Sequence, residues 1–138
     1  MPVELNSRFN RGYFDVVLLC VMLHHTEDPK SIIEDACTYL KSGGKLLIVE
    51  PNRRCPMMSL FCFLDKNEWG LLRMGNLKFY NRLLDKDKFE VLEERFTPLT
   101  FGYTNKLLQS GAAFFDAFPS GILKQFLPHL FLVANKIK

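Results

Sequence analysis

Apolar residues in this chain fall into four runs with the lengths of strands, and the residues between them carry helix signals. Val16 to Leu19 is apolar at every position without alternation. Such continuity predicts a strand covered on both faces, the usual state in a parallel sheet. Asp28 is a good N-cap residue and Pro29 suits a first helical position, after which Ile32, Ile33, Ala36, Cys37 and Leu40 share one face at helical spacing. Lys41 then stands near the negative end of that helix, and Gly43 or Gly44 is expected to supply a left-handed cap. Lys45 to Glu50 (KLLIVE) is a second buried-strand run. Residues 14–50 therefore read as a βαβ unit with a right-handed crossover.

Beyond it, Pro51 to Gly75 reads as irregular, with two prolines and two apolar clusters, MMSLFCFL and WGLL. A helix is expected from about Leu77 to Lys86, then strands at Phe89 to Phe96 and Leu130 to Lys136, with short helices such as Asn105 to Phe118 and Ile122 to Leu127 between them. The expected organisation is one domain over 1–138: the βαβ unit, a variable segment with a helix over 51–88, and a terminal strand pair with a helical insertion over 89–138. The fold class is α/β. The apolar stretches Met57 to Leu64 and Ala112 to Phe118 read either as core or as a lid over a hydrophobic ligand.

Composition narrows the class. Hydrophobic residues make up 48% and charged residues 24%, which excludes disordered and collagen-like chains. The thirteen Phe point to a dense core or an apolar binding surface. A net charge of +3 is scattered without a basic stripe, so nucleic acid is not the expected partner. No uncharged apolar run approaches the ~18 residues of a membrane span, and Met1 is followed by polar residues with no charged n-region leading into an apolar stretch. A soluble, cytoplasmic protein is expected. Cys20, Cys37, Cys55 and Cys62 form no C-x-x-C pair and have no His at zinc-finger spacing, so neither a metal site nor a disulfide framework is expected.

Candidate chemistry gathers at one end of the sheet. In open α/β folds, ligands bind beyond the carboxyl ends of the parallel strands. His24 and His25 follow the first strand and Glu50-Pro51-Asn52 ends the second, so both loops face one crevice. The combination FDVVLLCVMLHHTEDP followed by YLKSGGKLLIVEPN resembles the region from the fourth to the fifth strand of class I S-adenosylmethionine-dependent methyltransferases of the type 11 kind. FEVLEERF and LPHLFLVANKIK resemble that fold's sixth and antiparallel seventh strands.

The resemblance implies a partial Rossmann-like sheet of strands four to seven with flanking helices. It further implies S-adenosylmethionine as cofactor and methyl transfer to a small-molecule acceptor, a hydrophobic one if the apolar stretches form a lid. His25 would take the acceptor's proton, with His24 beside it as the weaker catalytic candidate. Cys20, Val21 and Met22 would lie along the cofactor's methionine moiety, and Glu50 and Asn52 would bind the acceptor. Each position also has a purely structural reading, as turn, cap or strand end. The chain departs from the family in lacking a glycine-rich loop after a first strand and a ribose-binding acid; Gly43-Gly44 follows a helix and precedes a strand. The expectation is thus a carboxyl-terminal half, without the first three strands, that is not competent alone and can pair with a second copy or a partner chain through an exposed sheet edge. The competing reading is a non-catalytic methyltransferase-like binding module.

Overall fold

The computed structural model describes residues 9–97 and 121–137. The first strand, β1 (Phe14–Cys20), leads through a single 3-10 turn (Leu23–His25) into α1 (Pro29–Tyr39) and back into β2 (Leu40–Pro51). Asp28 caps α1 as its side chain accepts from Ser31 N at 3.1 Å, with Pro29 at the helix start. β1 and β2 are parallel, Leu18 opposite Leu47 and Cys20 opposite Val49. This is the βαβ unit read from the sequence.

The end of α1 differs from expectation. Leu40 is already extended, and neither glycine caps the helix. Instead the β1–β2 pairing jumps from Phe14–Leu40 to Val16–Lys45, so Lys41 to Gly44 bulge out of the ladder. Gly43 has a φ of 77°, a left-handed conformation, and a Cβ on Gly44 would meet the Lys41 carbonyl at 2.9 Å. The glycines serve the bulge. The last carbonyls of α1 are partly satisfied elsewhere: Lys136 Nζ donates to Cys37 O and Leu40 O, each at 2.7 Å.

The segment read as irregular holds helices α2 (Pro56–Leu64) and α3 (Trp69–Met74), joined by a 3-10 turn (Lys66–Glu68). Next come α4 (Leu77–Leu83), capped by Asn76 and ending earlier than expected, then β3 (Phe89–Thr97), the short α5 (Gly121–Lys124) and β4 (His129–Lys136). The expected helix at Asn105 to Phe118 and the Ala112 to Phe118 stretch lie outside the described residues. Sheet order is β1-β2-β4-β3, with β4 antiparallel to both neighbours.

One core forms on one face of the sheet. Leu19, Leu46, Ile48, Leu130, Leu132 and Ala134 pack there against Ile33, Ala36 and Cys37 of α1, Met74 of α3 and Tyr80 of α4. The expected two-sided burial of β1 is not observed among the described residues: Val16 is 52% and Leu18 49% exposed. Alternation along a strand puts these two on the face opposite Val17 and Leu19, and the described core lies on the Val17 and Leu19 side.

Candidate functional site

Glu50 organises the carboxyl ends of β1 and β2. Its side chain is fully buried, and its two oxygens are divided between backbone and imidazole. Oε1 accepts from Met22 N at 2.8 Å and Leu23 N at 2.9 Å, while Oε2 stands 2.6 Å from His24 Nδ1. A carboxylate taken out of water needs this full set of partners. The carboxylate thereby locks the turn that follows β1. Within that turn Val21 adopts a φ of 51°, the one positive φ outside glycine among the described residues. A β-branched residue in this region is strained, and strain of that kind concentrates at functional sites. The bond from Val21 N to Val49 O, 2.8 Å, helps to hold it.

His24 is buried between two carboxylates. Its Nε2 lies 3.1 Å from Glu68 Oε2. Burial alone would push the imidazolium's pKa down, but Glu50 and then Glu68 outweigh it, and the pKa is raised. His25 is different. Its ring is tilted 41° against that of His24 with centroids 3.9 Å apart, and its side chain is 40% exposed, with Nε2 3.8 Å from Glu68 Oε1. That separation exceeds hydrogen-bond length. Glu68 reaches both rings because the Lys66–Glu68 turn, whose Asp65 cap accepts from Asn67 N, starts α3 hard against the histidine turn. Gly70 makes the approach feasible, since a Cβ there would collide with the His24 carbonyl.

Beside these groups lies a cavity of about 420 Å³, lined by Val21, Pro51, Met58, Cys62, Glu68 and His129 among others. The wall is mostly apolar. Burial, followed by the Glu68 charge, pushes the Cys62 thiol up, and burial with Glu50 does the same for Cys20. Neither thiol is set up as a thiolate nucleophile. Burial lowers the His129 pKa, partly opposed by Glu50, and its Nδ1 has no hydrogen-bond partner among the described residues. Burial, with the Glu50 charge added, also raises the Tyr80 phenol, which stays neutral beneath the carboxylate.

Among the residues singled out in the sequence, His24, His25, Cys20, Val21 and Met22 share this end of the sheet, and Val21 and Met22 are exposed there. Glu50 and Asn52 reach the same edge but turn inward. Asn52 is buried, its Nδ2 donating to Gln125 O and Leu127 O at 2.8 Å each and its Oδ1 accepting from Arg54 N. It fastens the end of β2 to the approach to β4, so its amide, like the Glu50 carboxylate, is engaged by protein partners.

Two groups escaped the sequence reading, Glu68 and His129. His129 had a signal: an antiparallel last strand must begin at the edge where β2 ends, and His129 is indeed opposite Pro51. Glu68 had none, since only the tertiary approach of α3 brings it to the histidines.

Residues 4–94 match the family described as Methyltransferase domain. The Ubiquinone biosynthesis O-methyltransferase of Psychrobacter cryohalolentis is 36% identical over 64 residues, which is 46% of this chain and 24% of that protein. Matched stretches span between a fifth and a quarter of the length of such curated relatives. Among solved structures, a Bacillus halodurans C-125 protein described as a methyltransferase superposes with a TM-score of 0.54 at 18% identity, covering 94% of this chain and 72% of that one. The cyclase SpnF superposes with a TM-score of 0.54 at 16% identity, covering 94% and 53%. At such identities the likeness is one of fold, and a protein named for cyclisation shares it.

Proposed function

Since this chain belongs to the methyltransferase domain family, we propose that its site carries methyl transfer from S-adenosylmethionine, the cofactor of that family, to a hydroxyl on a hydrophobic small molecule. The cofactor would supply an electrophilic methyl for direct displacement. Val21 and Met22, exposed at the end of β1, suit the neighbourhood of its methionine moiety. The apolar cavity beside them suits a ring or alkyl acceptor. The relative's name, an O-methyltransferase of ubiquinone biosynthesis, supports oxygen on a quinone-like or phenolic molecule as the acceptor.

The observation that carries the reading is the Glu50–His24–Glu68 chain, buried at Glu50 and His24, whose Glu68 lines the cavity and stands 3.8 Å from the half-exposed His25. His25 takes the acceptor's proton as the oxygen attacks, and Glu68 stabilises the resulting imidazolium. Glu50 and His24 act through position: they fix the turn that carries His25.

The described residues fit only the methyl-facing end of the cofactor. No glycine-rich turn from strand to helix and no acid facing a ribose is found among them. We accordingly infer that this chain alone binds S-adenosylmethionine weakly, and that transfer needs polypeptide beyond the described elements. Calorimetric titration checks this, and a micromolar dissociation constant at one site per chain would defeat it. In a transfer-competent assembly, His25→Ala should lower kcat about a hundredfold or more while cofactor affinity changes little. Parallel loss of stability and activity would leave His25 a turn residue. A second reading, a non-catalytic binding module, is favoured by the exposed apolar face of β1, and it predicts no transfer in any assembly.

A further inference from the structure

His24, His25 and Glu68 each offer one ligand atom, and these atoms lie within 4.8 Å of one another. We propose that the three side chains form a binding site for a first-row divalent cation beside the cavity, whose wall Glu68 shares. Such an ion bonds imidazole nitrogen and carboxylate oxygen at about 2.0 to 2.2 Å. The His24 Nε2 to Glu68 distance of 3.1 Å already spans a shared ion, and His25 Nε2, 3.8 Å from Glu68, closes the third position by a small turn of a half-exposed ring.

What separates this cluster from a chance grouping lies behind it. The buried Glu50 carboxylate engages His24 Nδ1 at 2.6 Å, the outer contact that fixes an imidazole's tautomer and aims its other nitrogen at a metal. In the neutral ring with its proton on Nδ1, Nε2 faces a Glu68 oxygen at 3.1 Å, a contact that a second proton or a cation must bridge. Two carboxylates meet here with no Lys or Arg partner among the described residues. The donor set of two imidazoles and one carboxylate suits zinc, iron(II), manganese or cobalt over calcium.

Glu68 also lines the cavity, so the ion's remaining positions open toward an acceptor. A hydroxyl coordinated there is acidified directly in the ion-loaded chain, and the base role given to His25 above holds for the ion-free chain. This role rests on the methyl-transfer reading; binding of the ion does not.

The test uses the whole chain, stripped with chelator and titrated with Zn²⁺ by calorimetry and with Co²⁺ by absorption. One site per chain is expected, with visible Co²⁺ bands of nitrogen and oxygen ligation and no intense near-ultraviolet thiolate band. His25→Ala and Glu68→Gln should each weaken binding at least tenfold, with circular dichroism showing retained fold, and Cys62→Ser should leave it unchanged. Absence of saturable binding, unaltered binding in both His25→Ala and Glu68→Gln, or a thiolate band that Cys62→Ser removes would each overturn the site. Failure of cofactor binding in a separate titration would strike the methyl-transfer reading and leave the metal site standing.

Discussion

At the scale of single residues, Glu50 does most to join fold and site. Its fully buried carboxylate accepts two backbone N–H bonds and makes one imidazole contact. Glu50→Gln keeps the shape but offers an amide where donors already point, and it leaves His24 facing a single carboxylate. A loss of about 2 to 4 kcal/mol in urea denaturation is expected, and a change under 1 kcal/mol would show that the turn holds itself. His129 makes a second case. Burial lowers its folded pKa, so the unfolded chain takes the proton more readily. Its contribution to stability is present above the unfolded value of about 6.5 and is lost as pH falls through it toward the folded value. His24, with its raised pKa, acts in the opposite sense. The prediction is therefore differential: between pH 7.5 and 5.5, wild type should lose more stability than His129→Gln, by thermal melts in matched buffers. The sequence shows that His24 and His25 sit at a strand's carboxyl end, because a dihistidine after an apolar run can be read directly. That Glu50 faces inward cannot be read, since the partners that satisfy it come from another strand's turn.

Among the elements, starts were more legible than ends. Asp28-Pro29 announces α1 because capping is a contact between near neighbours in sequence. Where α1 ends is decided by sheet pairing, which draws Leu40 into β2 and leaves Gly43 and Gly44 to shape the bulge. The two glycines differ in a testable way. Gly43 has open space around it, so Gly43→Ala meets only the left-handed backbone and should cost about 1 kcal/mol. In Gly44→Ala the methyl would meet the Lys41 carbonyl at 2.9 Å, the Leu40 side chain at 3.0 Å and the Asp15 carbonyl at 3.1 Å. Two of those three are backbone atoms, so strands must separate, and about 2 to 3 kcal/mol is expected. Equal costs in denaturation would mean that the bulge is looser than drawn. α2 escaped the sequence for another reason. Met57, Leu60, Phe63 and Leu64 are exposed while Cys62 is buried, so apolar residues surround the helix and the polar side that makes a helical period visible is missing.

For the whole molecule, the continuous apolar runs carry more than the described architecture uses. Val16 to Leu19 and Leu46 to Val49 are apolar on both faces, the pattern of a sheet covered twice, whereas the core of α1, α3 and α4 covers one. Strand direction follows the resemblance; coverage of the second face of β1 does not, among the described residues, although Val49 on that face of β2 is buried. On that face Val16 and Leu18 stand about half exposed, and β1 has a single partner strand among the described residues. Lys41 bridges to Asp15 at 2.8 Å at the strand's start, so charge guards one end only, and Val16 to Cys20 has no Lys or Pro to block pairing. Exposed apolar surface joined to an open strand edge favours association. Light scattering on purified chain should therefore show a mass that rises with concentration, accompanied by binding of a hydrophobic dye. The double variant Val16→Lys, Leu18→Glu places charge on the open face without touching Val17 or Leu19, and it should return the chain to a monomer with unchanged circular dichroism. Hydrogen exchange then separates the two ways of covering the strand. Amides from Val16 to Cys20 that grow more protected with concentration in the wild type alone indicate contact between copies. Strong protection at every concentration in a wild-type monomer would mean that the chain covers this face itself, and that β1 is no edge.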